Sequence, residues 1–208
     1  KADKLMCRKK RIGILTGGGD VQQLNVVIAS AIETSNKNNI ELIGFIRGWH
    51  GAIENNFVLL NKKKINKDIG GTILKSSRLN LTKVENVPKT VVENLNKLGI
   101  EGLIVIGGDD TLSNSFSIKE IPQILISKTI DNDVGIVSGS EIINYFTLGY
   151  PTAAEKISSF VSLNEGLRTT AYSHERIIVV ESMGMHAGWL ALSSSMGHPD
   201  LIVIPEFT

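Results

Sequence analysis

The chain has 208 residues, of which 42% are hydrophobic and 21% charged, as in an ordinary globular protein with one large core or one domain and part of a second. Its formal net charge of +1 gives no electrostatic argument for a nucleic-acid or membrane partner, and the basic clusters at Lys1–Arg11 and Lys62–Lys67 are interpreted as solvated surface. The single Cys7 excludes an intramolecular disulfide, and no apolar run approaches the ~18–20 residues of a membrane span, so we expect a cytoplasmic location.

Strand-like and helix-like patterns alternate from the first apolar run onward. RIGILT (11–16), ELIGFI (41–46) and FVLL (57–60) are predicted strands, and apolar residues at helical spacing from Leu24 to Ile32 predict a helix after the first of them. A polar, glycine-marked stretch follows at 61–80. These alternating patterns predict βαβ units.

The middle of the chain continues the alternation. Pro88 fits the first turn of a helix that Gly99 ends. GLIVI (102–106) is fully apolar, as expected of a parallel strand covered on both faces. A short helix is predicted near Leu112–Lys119 and a strand at ILIS (124–127).

The last third predicts a helix over 151–167, a strand at IIVVES (177–182), a helix over Ala187–Met196 and a strand at LIVI (201–204). Taken as a whole, the pattern predicts an α/β fold with a doubly wound, mostly parallel sheet and part of a second α/β domain. Glycine and serine cluster at Gly135–Gly139, so the boundary is placed there, giving domains 1–137 and 138–208. The chain begins without methionine and stops just after LIVI, so we expect a fragment.

Four polar motifs each follow a predicted strand: GGGD (17–20), GGDDT (107–111), SKTIDND (127–133) and MGMHAG (183–188). Ligands in open α/β sheets bind outside the carboxyl ends of the strands, so four such loops predict a binding site. GGGD suits either an anion at free backbone N–H groups or a tight turn.

GGDDT is more informative because a turn does not require two adjacent acids. A carboxylate beside a glycine-rich loop commonly holds Mg²⁺ against phosphates, whereas an Asp that caps the next helix accounts for only one of the pair. In KTIDND, an extended backbone would place Thr129, Asp131 and Asp133 on one face and Lys128 on the other. That pattern suits phosphoryl transfer to an alcohol, although an Asp- and Asn-rich turn is the plain alternative.

Taken together, ILTGGGD…N, SSR, GGDDT, KTIDND, HERIIVVESMG and PE resemble the phosphofructokinase family, in order and over residues 11–206. The resemblance implies a Mg²⁺-dependent transfer of a phosphoryl group to the 1-hydroxyl of fructose 6-phosphate in glycolysis. It identifies Asp131 with the general base, Thr129 and Asp133 with its neighbours at the sugar and metal, and Asp109 with the metal aspartate.

Further matches concern the two substrates. Gly19, Arg78 and Gly108 match donor-phosphate contacts. Arg176 matches an arginine that reaches the sugar phosphate of a neighbouring subunit, which implies a homo-oligomer, a dimer or tetramer. The stretch Met183, Gly184 and Met185 matches a substrate-binding segment.

Donor choice depends on Asp110 and Lys128, where ATP-using members typically carry glycine. The pair resembles the pyrophosphate-dependent branch, and a carboxylate at 110 would repel the α-phosphate of a nucleotide. Lys128 would then stabilise the leaving phosphate. ATP-dependent phosphofructokinase is one alternative. The other is a non-catalytic regulatory homologue that binds phosphorylated ligands, because Val21–Gln23 replace a proline and a glycine of the usual loop and Met185 replaces an arginine. The 208 residues alone are expected to be inactive.

Overall fold

The computed structural model describes residues 9–83, 86–162 and 167–207, in two compact units, Lys1–Ile126 and Ser127–Thr208. Cys7 and most of the amino-terminal basic cluster lie outside the described residues. The assignment of donor binding to 1–137 and of sugar-phosphate binding to 138–208 concerns function and stays a prediction.

The first unit alternates strands and helices as predicted. Its elements are β1 Arg11–Thr16, α1 Leu24–Lys37, β2 Glu41–Phe45, α2 Trp49–Glu54, β3 Phe57–Leu59, a 3₁₀ turn at Leu81–Lys83, α3 Val87–Lys97, β4 Ile100–Gly107, α4 Asp109–Ser115 and the start of β5 Gln123–Thr129. The predicted strands at 11–16, 41–46, 57–60, 102–106 and 124–127 are thereby confirmed within a residue or two at each end.

One six-stranded sheet has the order β3–β2–β1–β4–β5–β8, with β8 at Leu148–Gly149. β1 pairs in parallel with β2 and β4, β5 pairs in parallel with β8, and β3 runs antiparallel to β2. The predicted fold class, α/β with a mostly parallel sheet, is confirmed.

Burial explains why β1 and β4 form the centre of this unit. Ile14 and Leu15 have no exposed surface, and neither do Val105 and Ile106, since helices cover strands of a parallel sheet on both faces. Gly99 follows α3 with a left-handed φ of 68°, a conformation that glycine adopts without the strain a Cβ would cause.

The second unit contains the end of β5 and shorter elements. They are β6 Ile136–Ser138, β7 Glu141–Asn144, β8, α5 Tyr150–Val161, α6 Leu167–His174, α7 Trp189–Ser193, and 3₁₀ turns at Ser194–Gly197 and Pro205–Phe207. β6 and β7 form a two-stranded antiparallel sheet of their own. Residues 163–166 of the helix predicted over 151–167 lie outside the described residues.

Two strand predictions are wrong. Residues 177–182 and 201–204 form no strand in the described part of the second unit. A β-branched run favours extended backbone, but a strand also needs a hydrogen-bonded neighbour, which the local pattern does not supply. Ile177 and Leu201 are instead 97% and 79% exposed, and both runs line one cavity of about 580 Å³.

Two helix boundaries also differ from the prediction. α4 begins at Asp109 rather than near Leu112, because carboxylates in the first turn interact favourably with the unpaired N–H groups there. The helix predicted over Ala187–Met196 is instead the five-residue α7, followed directly by the 3₁₀ turn Ser194–Gly197.

Candidate active site

The loops after β1 and β4 lie side by side at one edge of the sheet. Thr16, the last residue of β1, is in register with Ile106 of β4, and the N–H of Gly17 donates to the Ile106 carbonyl at 2.9 Å. GGGD and GGDDT therefore lie at one edge of the sheet, as the sequence predicts, and the structure adds that their strands are adjacent. Gly19 is exposed, and a Cβ placed on it would meet nothing within 4 Å. The space on the side-chain face of Gly19 is thus open.

Thr111 locks these two loops together. A Cβ on Gly17 or on Gly107 would collide with the Thr111 side chain, so only glycine fits at either position. Thr111 is buried, and its carbonyl accepts a 3.1 Å hydrogen bond from the indole N–H of the buried Trp49. The start of α4 is consequently fixed from both sides.

The acidic pair lies at the exposed start of α4. Asp109 and Asp110 both occupy the first turn, which follows Gly108, and both side chains face solvent. The hydroxyl of Ser113, one turn later, donates to Asp109 at 3.3 Å. A helix amino terminus stabilises both acids, which is more than the single capping residue that the sequence allowed for.

Arg78, the third predicted donor-site residue, is exposed on the irregular segment before α3. This segment contacts the first loop directly: the Gly18 N–H donates to the Ser77 carbonyl at 3.2 Å, and the Ser76 hydroxyl donates to the Gly18 carbonyl. The first unit therefore brings the segments of Gly19, Arg78, Gly108, Asp109 and Asp110 to the ends of β1 and β4.

In the second unit, Lys128 and Thr129 form the end of β5, where Lys128 is only 3% exposed. The strand ends at Thr129, and the backbone after it is not extended throughout, because Asn132 has a left-handed φ of 56°. The prediction that Thr129, Asp131 and Asp133 alternate along one extended face is therefore wrong beyond Thr129. Instead, the N–H of Asp131 donates to the Thr129 hydroxyl at 3.1 Å, which closes a local turn.

Asp131 is in an unusual environment for a carboxylate. Its Oδ1 is buried and has no hydrogen-bond partner among the described residues. Burial raises the pKa of Asp131 above its ordinary value, and the negative charge of Asp133 raises it further. A carboxylate with a raised pKa and an unpaired oxygen is a stronger proton acceptor than an ordinary aspartate.

The sequence reasoning missed Asn132, which holds this turn in place. Its amide nitrogen donates to the Tyr145 carbonyl at 3.0 Å, and its Oδ1 accepts from the Thr147 N–H at 2.9 Å. The Thr147 hydroxyl in turn donates to the Thr129 carbonyl at 2.6 Å. The signal available in the sequence was an asparagine between two aspartates, since asparagine tolerates a left-handed conformation.

Arg176 and the stretch Met183–Met185 lie on the surface of the second unit. The Arg176 backbone N–H donates to the Ala171 carbonyl at 2.9 Å while its side chain is exposed. Met183 and Met185 are 65% and 80% exposed, and Gly184 between them has a φ of 116°. Their place in a substrate site stays a prediction.

A magnesium ion fits the donors present. Among the described residues no three His, Cys, Asp or Glu side chains form a metal-binding group. Mg²⁺ usually takes one or two protein carboxylates and completes its shell with water and substrate phosphates. The exposed carboxylate of Asp109 provides a ligand of that kind. In the described part of the chain, no helix is both long and apolar enough to cross a membrane.

A parallel sheet whose strand ends carry glycine loops, paired acids and an exposed arginine is typical of proteins that bind phosphate groups. The family model for phosphofructokinase matches residues 11–208. The chain belongs to the phosphofructokinase family.

Relatives of both donor types are similar to it. The chain is 44% identical over 203 residues to the pyrophosphate--fructose 6-phosphate 1-phosphotransferase of Dictyoglomus thermophilum, with 95% of the chain and 56% of the relative covered. It is 40% identical over 202 residues to the ATP-dependent 6-phosphofructokinase of Aquifex aeolicus, with 94% and 60% covered. The chain therefore spans little more than half the length of these relatives.

Solved structures agree on the fold. The phosphofructokinase of Saccharomyces cerevisiae superimposes with a TM-score of 0.73 at 25% identity, over 88% of this chain and 27% of that one. The pyrophosphate-dependent phosphofructokinase of Marinobacter aquaeolei gives a TM-score of 0.72 at 17% identity, over 95% of this chain and 53% of that one.

Proposed function

We propose that the full-length protein transfers a phosphoryl group from pyrophosphate to the 1-hydroxyl of fructose 6-phosphate, giving fructose 1,6-bisphosphate and phosphate. The observation that carries this proposal is the exposure of Asp110 beside Asp109 in the first turn of α4, at the edge of two glycine loops. A second carboxylate at this position repels the α-phosphate of a nucleotide. Pyrophosphate is shorter and has no third phosphate to be repelled. Asp110 thus acts in donor selection.

The proposed acceptor chemistry uses the turn after β5. Asp131 accepts the proton of the sugar hydroxyl as that oxygen attacks the phosphorus, and its raised pKa and unpaired Oδ1 support this role. Thr129 and Asp133 orient the hydroxyl, and Arg176 with Met183, Gly184 and Met185 binds the sugar phosphate. Asp109 would hold Mg²⁺, which would neutralise negative charge on the transferred group.

The donor side uses backbone and cations. Gly19 and Gly108 bind a donor phosphate close to the main chain, which the open space at Gly19 supports, and Arg78 neutralises its charge. Lys128 stabilises the phosphate that leaves. Burial of its side chain supports a fixed position for this ammonium group, because a buried long side chain has few rotamers available.

An ATP-dependent 6-phosphofructokinase is the second candidate, and the similarity to the Aquifex aeolicus enzyme favours it. A non-catalytic homologue is the third. The loop Val21–Gln23 is the feature that favours it, although Val21 is buried and Gln22 lies against Gly70. Val21 therefore belongs to the core, and Gln22 contacts Gly70.

A donor assay separates the three candidates. The full-length protein is incubated with Mg²⁺, fructose 6-phosphate and either pyrophosphate or ATP, and fructose 1,6-bisphosphate is measured. We expect turnover with pyrophosphate and none with ATP. Turnover with ATP alone contradicts the role of Asp110, and binding without turnover for either donor supports the non-catalytic homologue.

Single and double variants test the roles proposed for individual residues. Asp110→Gly combined with Lys128→Gly should raise the KM for pyrophosphate, whereas Glu93→Gln, which removes an exposed acid on α3, should not. Asp131→Ser should lower kcat by ~10²–10⁴-fold with sugar binding retained. Unchanged turnover of Asp131→Ser removes Asp131 from the base role.

We also propose that the protein is cytoplasmic. We propose further that it forms a homo-oligomer, a dimer or tetramer, because the arginine that Arg176 resembles serves a neighbouring subunit. Light scattering of the full-length protein tests the oligomer, and a monomeric mass at working concentration contradicts it. Mixing inactive Arg176→Ala and Asp131→Ser subunits provides a second test, since a shared site regains partial activity in mixed oligomers.

A further inference from the structure

The exposed Arg78 is held on a long irregular segment, which we call the arginine loop (residues 69–81). Its residues before Leu81 have no helix or strand to satisfy their backbone groups. Side chains or other loops must therefore bond those groups, since buried backbone donors and acceptors are rarely left unpaired. An arginine on an unfixed loop would also lose conformational entropy whenever it bound a phosphate.

Asn114 fixes the arginine loop just after Arg78. Its amide nitrogen donates to the Leu79 carbonyl at 2.6 Å, and its Oδ1 accepts from the Leu81 N–H at 2.9 Å. The side chain is 2% exposed, and the hydrogen bond that it accepts from Leu81 is buried. One amide group thereby satisfies a backbone acceptor and a backbone donor two residues apart, as a neighbouring strand would.

Asn114 links the arginine loop to the helix that carries the acidic pair. Asn114 lies on α4, the helix whose first turn carries Asp109 and Asp110. The helix that presents the acidic pair therefore also holds the backbone next to Arg78. On the preceding side, the Ser77 carbonyl accepts from Gly18 at 3.2 Å, and the Ser77 hydroxyl donates to the Arg47 carbonyl at 2.6 Å.

A second asparagine fixes the far end of the same loop. Asn25 of α1 is 3% exposed, donates to the Ile69 carbonyl at 3.1 Å and accepts from the Ile73 N–H at 2.9 Å. The arginine loop is thus bonded near its start by Asn25 and at its end by Asn114. Arg78 is followed directly by Leu79, the first of the two residues that Asn114 bonds.

We propose that Asn114 is a positioning residue for the phosphoryl donor, which acts by holding Arg78 at a fixed place relative to Asp109 and Asp110. The proposal rests on the proposed function, since it assumes that Arg78 binds the donor. Its physical basis is preorganisation: the loop is ordered before the donor binds, so binding does not have to order it. Loss of Asn114 should weaken donor binding without affecting the sugar.

The chain offers a matched control. Asn94 of α3 is also buried, at 6% exposure, and its amide nitrogen donates to the carbonyls of Ala52 and Ile53 at 3.1 and 2.7 Å. Asn114→Asp and Asn94→Asp each replace a buried amide donor by a carboxylate that faces a carbonyl. Both should lower stability, but only the first disturbs the arginine loop.

The experiment compares these variants in the full-length protein with Mg²⁺. For Asn114→Asp we expect the KM for pyrophosphate, and its Kd by calorimetry, to rise roughly fivefold or more, which corresponds to about 1 kcal/mol of binding free energy. The KM for fructose 6-phosphate should stay within about twofold, as for any change confined to the donor site. Asn94→Asp should leave the pyrophosphate KM unchanged. If Asn114→Asp does not fold, Asn114→Ser, which keeps an acceptor for Leu81, replaces it.

A double-variant cycle separates positioning from a general loss of structure. When Arg78→Ala is already present, Asn114→Asp should weaken pyrophosphate binding no further, because residues that act together are not additive. Equal donor effects for Asn114→Asp and Asn94→Asp, or additive effects with Arg78→Ala, overturn the proposal. A wild-type protein that binds neither pyrophosphate nor ATP overturns the proposed function as well, whereas normal wild-type binding with an unchanged Kd in Asn114→Asp overturns this inference alone.

Discussion

Trp49 provides the strongest stability prediction for the candidate site. The side chain is 2% exposed, and its indole N–H donates to the Thr111 carbonyl at 3.1 Å. Trp49→Phe removes this hydrogen bond, a net loss of about 1 kcal/mol. It also removes two buried ring carbons, about 1.6 kcal/mol at ~0.8 kcal/mol per buried CH₂ group. We therefore expect the free energy of unfolding to fall by about 2 to 3 kcal/mol.

The assay is chemical denaturation of the full-length protein, followed by circular dichroism and tryptophan fluorescence. The chain contains two tryptophans, so Trp189→Phe provides a matched control. Trp189 is 48% exposed, and its replacement should change stability by less than about 0.5 kcal/mol, as for other surface substitutions. A Trp49→Phe variant that is no less stable than Trp189→Phe refutes the reasoning that the indole anchors the start of α4.

Three further predictions concern the same loops. Gly17→Ala should lower the free energy of unfolding by about 1 to 3 kcal/mol, because the added Cβ collides with the Thr111 side chain. Adding Thr111→Ala to this variant should restore part of the lost stability, measured by thermal unfolding. A double variant that is no more stable than Gly17→Ala contradicts the contact. Asp131→Asn should be more stable than the wild type at neutral pH, because burial and Asp133 raise the pKa of Asp131 in the folded state and so make its ionised form unfavourable there. That difference should shrink as pH falls through the raised pKa and vanish below the ordinary value of 3.8, so a pH-independent difference in melting temperature contradicts it. Asn132→Ala should lower kcat more than its loss of stability explains, because it removes the hydrogen bonds that hold the turn carrying Asp131. Asn132→Gly keeps the left-handed backbone without those hydrogen bonds, so wild-type kcat in this variant contradicts a role for the side chain.

The fold could be predicted wherever the signal was local. β4 is an apolar run in the sequence, and α3 has a proline in its first turn and a glycine just after its end. In both elements, residues at or next to the ends mark where the element begins and stops. The runs at 177–182 and 201–204 are equally β-branched, yet neither forms a strand, because strand formation depends on a partner distant in the sequence.

The site divides in the same way. The sequence predicted that GGGD and GGDDT lie at one edge of the sheet, because ligand loops follow the carboxyl ends of parallel strands. The structure adds that the two strands are neighbours, with Thr16 in register with Ile106. It could not predict Asn114, whose two partners are 33 and 35 residues away. Nor could it predict the contact of Trp49 with Thr111, 62 residues apart. Hydrogen bonds between distant segments leave no periodic trace in the chain.

The exposure of Asp110 has a consequence for how such a protein can evolve. The carboxylate faces solvent in the first turn of α4 and fills no part of the core, while its neighbour Thr111 is buried against two glycines. Exchange of residue 110 therefore requires no repacking of the core, and its cost in stability is limited to the favourable interaction of a carboxylate with the helix amino terminus, about 0.3 to 1 kcal/mol. Residue 110 can therefore change between related proteins while Thr111 keeps the packing of the two loops constant.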